Sequence, residues 1–287
     1  MSRFTVVQAY DRLVATGHVR SRQGAGFFVD RPQLDKRRRA RASVDLDNAD
    51  DVLWLIRQQA IEHHLSHLPG CGWLPPSWLD VGGLERALRA VARLGAEQLM
   101  GGYGSAQGYP PLRGDIARHM GEMGVEADED QVLMTNGIVG AIDMVCRYLV
   151  KPGDVILVDD PGYYQTFGHM QVLGANVIGV PWTDTGPDIE AFEALAAQNK
   201  PRLYITTSVV HNPTGCTISQ ATAYRVLKAA ETHNFYIIED DVYGVLHPDN
   251  PTRLVTLDQL ERVIYVNGFS KTLSPRLRVG FLIGGHK

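Results

Sequence analysis

Three polar clusters in this chain each follow a short apolar run. Leu203–Thr206 is followed by Ser208-Val209-Val210-His211-Asn212-Pro213-Thr214-Gly215, and Tyr236–Ile238 by Glu239-Asp240-Asp241-Val242-Tyr243. Val263–Val266 is followed by Asn267-Gly268-Phe269-Ser270-Lys271-Thr272-Leu273, with Arg276 and Arg278 just beyond. Singly each is weak, since HNPTG reads as a turn and a lone Ser-Lys pair as surface. Together they set an amine beside a serine and arginines suited to a phosphate, with acids and a tyrosine at a neighbouring strand end. In sheets covered on both faces, ligands sit beyond the carboxyl ends of the strands, where all three clusters would fall.

The elements that must position them follow from the apolar pattern. Runs at Val132–Met134, Val155–Val158, Val177–Val180, Leu203–Thr206, Tyr236–Ile238, Val263–Val266 and Val279–Ile283 predict seven buried strands. Helical segments over 138–150, 188–198 and 218–233 separate most of them, and further helices are expected near 50–65, 77–95 and 110–123. Near-continuous apolar strands alternating with helices predict an α/β fold with a mostly parallel sheet. The length of 287 residues allows about two domains. With 44% hydrophobic and 21% charged residues, a disordered chain, a collagen-like fibre and a disulfide-stapled miniprotein are excluded. No apolar run reaches the ~18–20 residues that span a bilayer. The three cysteines, Cys71, Cys146 and Cys216, lie far apart and read as packing residues in a reducing cytoplasm. The ten histidines show no metal-ligand spacing, so no metal is expected, and His63-His64 and His211 read as solvated or structural.

The net charge of −4 is unevenly spread. Residues 1–42 hold ten Lys or Arg against three Asp, or +7, leaving −11 for the rest. A basic head on an acidic body suggests a polyanion partner for the head, or else a solvated tail. The head has further order. Val6, Val7, Tyr10, Leu13 and Val14 form one face of a helix that Ser2 can cap and Gly17 can end. His18–Arg22 and Phe27–Val29, around Gln23-Gly24-Ala25-Gly26, read as a short hairpin edged with arginines. This resembles the recognition helix and wing of the GntR-type DNA-binding domain over residues 2–29. That would aim Arg3 and Thr5 at a groove and set Arg20 and Arg22 against phosphates. The expected organisation is a partial winged helix-turn-helix at 1–30, a basic linker at 31–49 with Lys36–Arg41 at its centre, and the α/β body at 50–287.

The strand-end motifs of the body resemble those of fold-type I pyridoxal-phosphate enzymes of the class I/II aminotransferase kind, over roughly residues 70–285. With the head, the whole resembles the MocR type of regulator, a winged helix fused to an aminotransferase-like domain. The resemblance implies a fold-type I large domain, pyridoxal 5′-phosphate as cofactor, and roles for particular residues. Lys271 matches the Schiff-base lysine, whose free amine also moves a proton during turnover. Asp240 matches the carboxylate that keeps the pyridine nitrogen protonated, with Asp241 pointing the other way. Asn212 and Tyr243 match the groups that hydrogen-bond the phenolic oxygen. Gly137, Ile138 and Val139, in Thr135–Ala141, match a helix start that receives the phosphate through backbone N–H groups. Ser270 and Arg278 complete that cup, although Ile138, Val139 and Gly268 stand where relatives offer side-chain hydroxyls or amides. Tyr163, or Tyr164 one residue on, matches the aromatic stacked on the ring. Tyr103 matches the tyrosine that reaches the phosphate of the partner subunit, which implies a homodimer.

The resemblance also implies helices ahead of the recognition helix and a small domain after Lys287 with the arginine for the substrate carboxylate, so the chain reads as truncated at both ends. Two functions remain. One is a regulator whose pyridoxal-phosphate domain, with an amino acid or the cofactor as effector, controls binding to DNA. The other is an amino-acid aminotransferase, supported by Asn212, Asp240, Tyr243, Lys271 and Arg278; an inactive remnant is the third and least supported reading.

Overall fold

The computed structural model describes residues 3–15, 19–22, 26–29, 72, 74–94 and 102–285. Its contacts divide the chain into a unit over 1–51 and a unit over 52–287. The linker, Ser2, Gly17, Cys71 and the helix expected near 50–65 lie outside the described residues.

The first unit holds a helix, Arg3–Ala15, and the strands β1 (Val19–Arg22) and β2 (Gly26–Val29). The strands form an antiparallel hairpin in which Arg20 faces Phe28 and Arg22 faces Gly26. The apolar side chains of the helix are not buried within this unit: Val6, Val7, Tyr10, Leu13 and Val14 are all exposed, and Tyr10 meets the Phe27 ring at 4.6 Å. Arg22 lies 5.6 Å from the Phe28 ring centre, and Arg20 and Arg22 face solvent. The side chains of Arg3 and Thr5 fall outside the described set.

The second unit is built on strands β3 (Val132–Thr135), β4 (Val155–Asp160), β5 (Asn176–Thr183), β6 (Gly186–Pro187), β7 (Leu203–Thr206), β8 (Tyr236–Asp240), β9 (Val263–Gly268) and β10 (Gly280–Ile283). Their order across the sheet is β3-β10-β9-β8-β7-β4-β5-β6. The seven expected strands are all present, and β6 adds a two-residue eighth that pairs antiparallel with the end of β5. Strands β5, β4, β7, β8 and β9 run parallel, and β10 runs antiparallel between β9 and β3.

Alternation along each strand divides the core into two layers. Leu157, Tyr204, Ile237, Tyr265 and Phe281 join one apolar cluster, while Ile156, Val158, Leu203, Ile205, Ile238 and Val266 join the other. Helices Pro110–Glu122, Ile189–Asn199 and Gln220–His233 supply the first cluster, and Gly137–Leu149 the second. Burial on both faces is why these strands read as unbroken apolar runs. Helix starts are fixed by short polar caps. Asp188 accepts from Glu190 N–H and Ala191 N–H, and Ser219 from Thr222 N–H. The helix expected over 77–95 begins later, at Val81, after a single turn at Pro76–Trp78 and with Asp80 accepting the Gly83 N–H. Among the described residues no helix is long and apolar enough to cross a membrane. Cys146 is buried, its thiol pushed up to about 12 mainly by burial, as suits packing; Cys216 is half-buried.

Candidate active site

The parallel strands end on one edge of the sheet, and a small, half-open cleft of about 20 Å3 lies there. It is lined by residues from three strand ends, among them Asp159, Tyr163, Thr206, Thr207 and Asp240. Asp240 is the last residue of β8, and its Oδ1 accepts the Val242 N–H at 3.1 Å. Burial raises this carboxyl to about 7 against the pull of that bond, with Asp241 raising it and Lys271 lowering it. A cation placed against Asp240 would therefore be held strongly.

The flanking acids are used elsewhere. Asp241 accepts Arg253 Nε at 2.8 Å and the Tyr265 hydroxyl at 2.7 Å, so it turns from the cleft into the core. Glu239 accepts the Ser208 hydroxyl and the N–H groups of Leu254 (2.7 Å) and Val255 (2.8 Å), and burial raises it to about 7.

Lys271 follows Ser270 in the turn after β9. Its Nζ lies 5.6 Å from the Tyr243 ring centre and donates to the Gly72 carbonyl at 2.9 Å. Burial, then Asp240, raises the Tyr243 phenol. Gly72 has φ +61°, and a Cβ there would stand 2.7 Å from the Tyr243 hydroxyl. The contact over 199 positions left no signal in the sequence.

At the other strand ends the backbone is bare. Gly137 opens its helix with φ +75°, and Arg278, itself at φ +51°, lies across it and donates to the Asn136 carbonyl at 3.3 Å. Gly280 of β10 backs the same turn: a Cβ there would meet Gly137 C at 2.5 Å and Ile138 N at 2.8 Å. Ile138 and Val139 occupy the first turn of that helix. A Cβ at Gly268 would meet Val279 O at 2.9 Å and Ile138 Cγ1 at 3.3 Å, so β10 and Ile138 fill the space a hydroxyl side chain would need.

The structure thus brings Asp240 and Tyr163 into one cleft, Lys271 beside Tyr243, and Arg278 onto Gly137. Asn212 follows the buried His211, with a cis bond to Pro213. Tyr103 is fully exposed and does not line the cleft, and the Tyr164 side chain lies outside the described set. Residues that sequence reasoning passed over include Asp159, Thr206 and Thr207, which line the cleft, and Tyr204 and Trp182 behind it. An acid four residues before Tyr163 was the one available signal.

The family profile described as "Aminotransferase class I and II" matches residues 79–287. The chain belongs to that family. Its α/β body is the fold-type I large domain, since solved aminotransferases superpose on it. An archaeal alanine:glyoxylate aminotransferase does so with a TM-score of 0.73 at 26% identity, over 83% of this chain and 60% of that one. The α-aminoadipate aminotransferase LysN of Thermus thermophilus, complexed with N-(5′-phosphopyridoxyl)-L-leucine, gives 0.67 at 28%, over 75% of this chain and 55% of that one. A different similarity takes in the head as well. The "probable rhizopine catabolism regulatory protein MocR" of Rhizobium meliloti is 31% identical over 292 residues, covering 99% of this chain and 58% of that protein. This aminotransferase-family chain therefore spans about three fifths of that relative.

Proposed function

We propose that the chain is part of a transcriptional regulator of the MocR type, whose aminotransferase-like body binds pyridoxal 5′-phosphate and controls DNA binding by the basic head. The observation that carries this reading is one chain holding both an arginine-edged helix and hairpin and an aminotransferase-family body with a buried acid, Asp240, at its strand ends. A metabolic transaminase has no use for the head.

The residues present fit the cofactor. Asp240 is a buried carboxyl that gains from a cation, as a pyridinium nitrogen supplies. The Arg278 guanidinium lies across the Gly137 turn, which opens a helix, so a dianion at that helix start would meet a cation, and charge-assisted bonds are about twice as strong as neutral ones. When bound, pyridoxal phosphate supplies an aldehyde for an amine and an electron-withdrawing ring. In this assignment Asp240 holds the proton at the ring nitrogen and Tyr163 covers a ring face. Asn212 and Tyr243 donate to the phenolic oxygen. Backbone N–H groups of Gly137, Ile138 and Val139, with Ser270 and Arg278, bind the phosphate. Lys271 gives the amine, and Tyr103 serves the site of a second subunit in a homodimer. An amino acid or the cofactor itself is the effector. In the head, Arg3 and Thr5 read a groove and Arg20 and Arg22 contact phosphates, within the cytoplasm.

Mixing the protein with pyridoxal phosphate tests this: a visible absorption band is expected, and Lys271→Ala abolishes it. The same band from Lys271→Ala refutes the lysine assignment. The set Asn212, Asp240, Tyr243, Lys271 and Arg278 favours amino-acid transamination as a second reading. Rapid turnover across ordinary amino donors, with no retention on DNA, would reject the regulator.

A further inference from the structure

Behind the cleft lies a clamp that none of the assigned roles uses. Asp159, next to last in β4, is buried, its Oδ1 accepting the Tyr204 hydroxyl at 2.5 Å and its Oδ2 the Thr207 N–H at 3.0 Å. Nε2 of His211 stands 3.3 Å from the same Oδ2, close but not aligned as a hydrogen bond. The imidazole has no exposed surface and lies flat on Trp182 of β5, with ring centres 3.9 Å apart at 8°. Its Nδ1 is 2.9 Å from the Thr214 hydroxyl. One face and the Nδ1 edge of the ring are thereby fixed by Trp182 and Thr214, and Asp159 of β4 stands against the Nε2 edge.

The backbone explains why such fixing is needed. Val210, just before His211, has φ +49°, a region where a β-branched residue is a genuine outlier. Such a conformation persists only where its surroundings over-determine it. Here Val210 N–H donates to Thr217 Oγ1 at 3.1 Å, His211 N–H to the Cys216 carbonyl at 2.7 Å, and Gly215 N–H to the His211 carbonyl at 2.6 Å. The next residue in this turn is Asn212, joined to Pro213 by a cis bond.

We propose that Asp159 and His211 are positioning residues of the cofactor site, a buried contact that locks the turn from which Asn212 meets the phenolic oxygen. The inference rests on the cofactor reading given above. Asp159 faces titratable groups from three places: Tyr204 of β7, His211 of the turn and Asp240 of β8.

The test compares the unmutated protein with Asp159→Asn, His211→Phe and the double variant. Asn keeps the shape and an acceptor for Thr207, and Phe keeps the stack on Trp182. Pyridoxal phosphate is titrated in, and the visible band is followed against pH. Each single variant is expected to bind about tenfold more weakly, the worth of one hydrogen bond to a charged group. Each also raises the pH midpoint of the band by about one unit, because a misdirected Asn212 no longer favours the ionised oxygen. The double variant should be no worse than either single one, as for groups acting as a unit. A packing role alone would lower the melting temperature and leave the midpoint unmoved; unmoved midpoints, or additive losses, overturn the proposal. If the buried variants do not fold, Thr214→Val at an exposed position carries the test, with about threefold weaker binding expected and no change overturning it. Absence of a band from the unmutated protein overturns the cofactor reading and this inference with it. A normal band with unaffected variants overturns this inference alone.

Discussion

Adding one methyl group at Gly280 should do more damage than any surface change in the body. The added Cβ would stand 2.5 Å from Gly137 C and 2.8 Å from Ile138 N, against ~3.5 Å for ordinary contact, so the strand and the helix start must part by about 1 Å. Gly280 cannot slide, because β10 pairs it with Thr135 of β3 on one side and Gly268 of β9 on the other. Overpacking of this kind costs about 1–3 kcal/mol, and a site held on both sides belongs at the upper end. At about 2–4 °C per kcal/mol for a unit of this size, Gly280→Ala should lower the melting temperature by about 6–12 °C. Gly121 provides the control. It lies in the helix Pro110–Glu122 with nothing within 4 Å of an added Cβ, so the same change there should stabilise by about 0.5–1 kcal/mol. Thermal unfolding by circular dichroism, with pyridoxal phosphate uptake measured in parallel, separates the two. If Gly280→Ala melts with the unmutated protein and takes up the cofactor normally, the close backbone approach described here is wrong.

Asp240→Asn should trade cofactor binding for stability. The carboxyl's folded pKa, about 7, lies above its unfolded value, so the cofactor-free protein loses stability as pH rises from about 4 through 7. The amide has no such loss, and the variant should be about 2–4 kcal/mol the more stable at pH 8, equal near pH 4, and poor in binding pyridoxal phosphate. Arg253→Ala removes the guanidinium from the buried Asp241 and should cost about 3–5 kcal/mol at pH 8. Burial holds Asp241 above the usual carboxylate range, so this cost should shrink in urea titrations as pH falls toward ~4. Replacing Arg20 and Arg22 with alanine should flatten the logarithmic salt dependence of DNA binding by about two units; an unchanged slope would remove both from the phosphate contacts.

Much of the body was legible because its strands are buried on both faces. Val155–Val158 and Tyr236–Ile238 could hardly be anything else, and the rule that ligands sit at strand ends then pointed to Asp240 and Lys271. What stayed hidden depends on contacts between distant positions. The apolar pattern of Gly280–Ile283 does not encode its antiparallel direction, and the two residues of β6 carry no pattern at all. Helix Tyr164–Val172 lacks a clear apolar stripe and went unread. Asp159 went unread, because its partners Tyr204 and Thr207 lie 45 and 48 positions away. His211 was read as solvated or structural, and only its stack on Trp182 and its contact with Asp159 give it a defined place. In the head, the helical spacing of Val6, Tyr10 and Val14 was plain, but spacing does not say whether a face is covered.

The placement of β10 between β3 and β9 also bears on synthesis. Thr135 waits for Gly280, and Arg278 reaches the Gly137 turn only once its own strand has docked. Until residue 283 has been made, the edge strand β3 has nothing to join it to β9. A ribosome-bound chain shorter than that would lack the packed turn of Gly137, Gly280 and Arg278, so under the proposed function cofactor capture should be a late, all-at-once event rather than a gradual one.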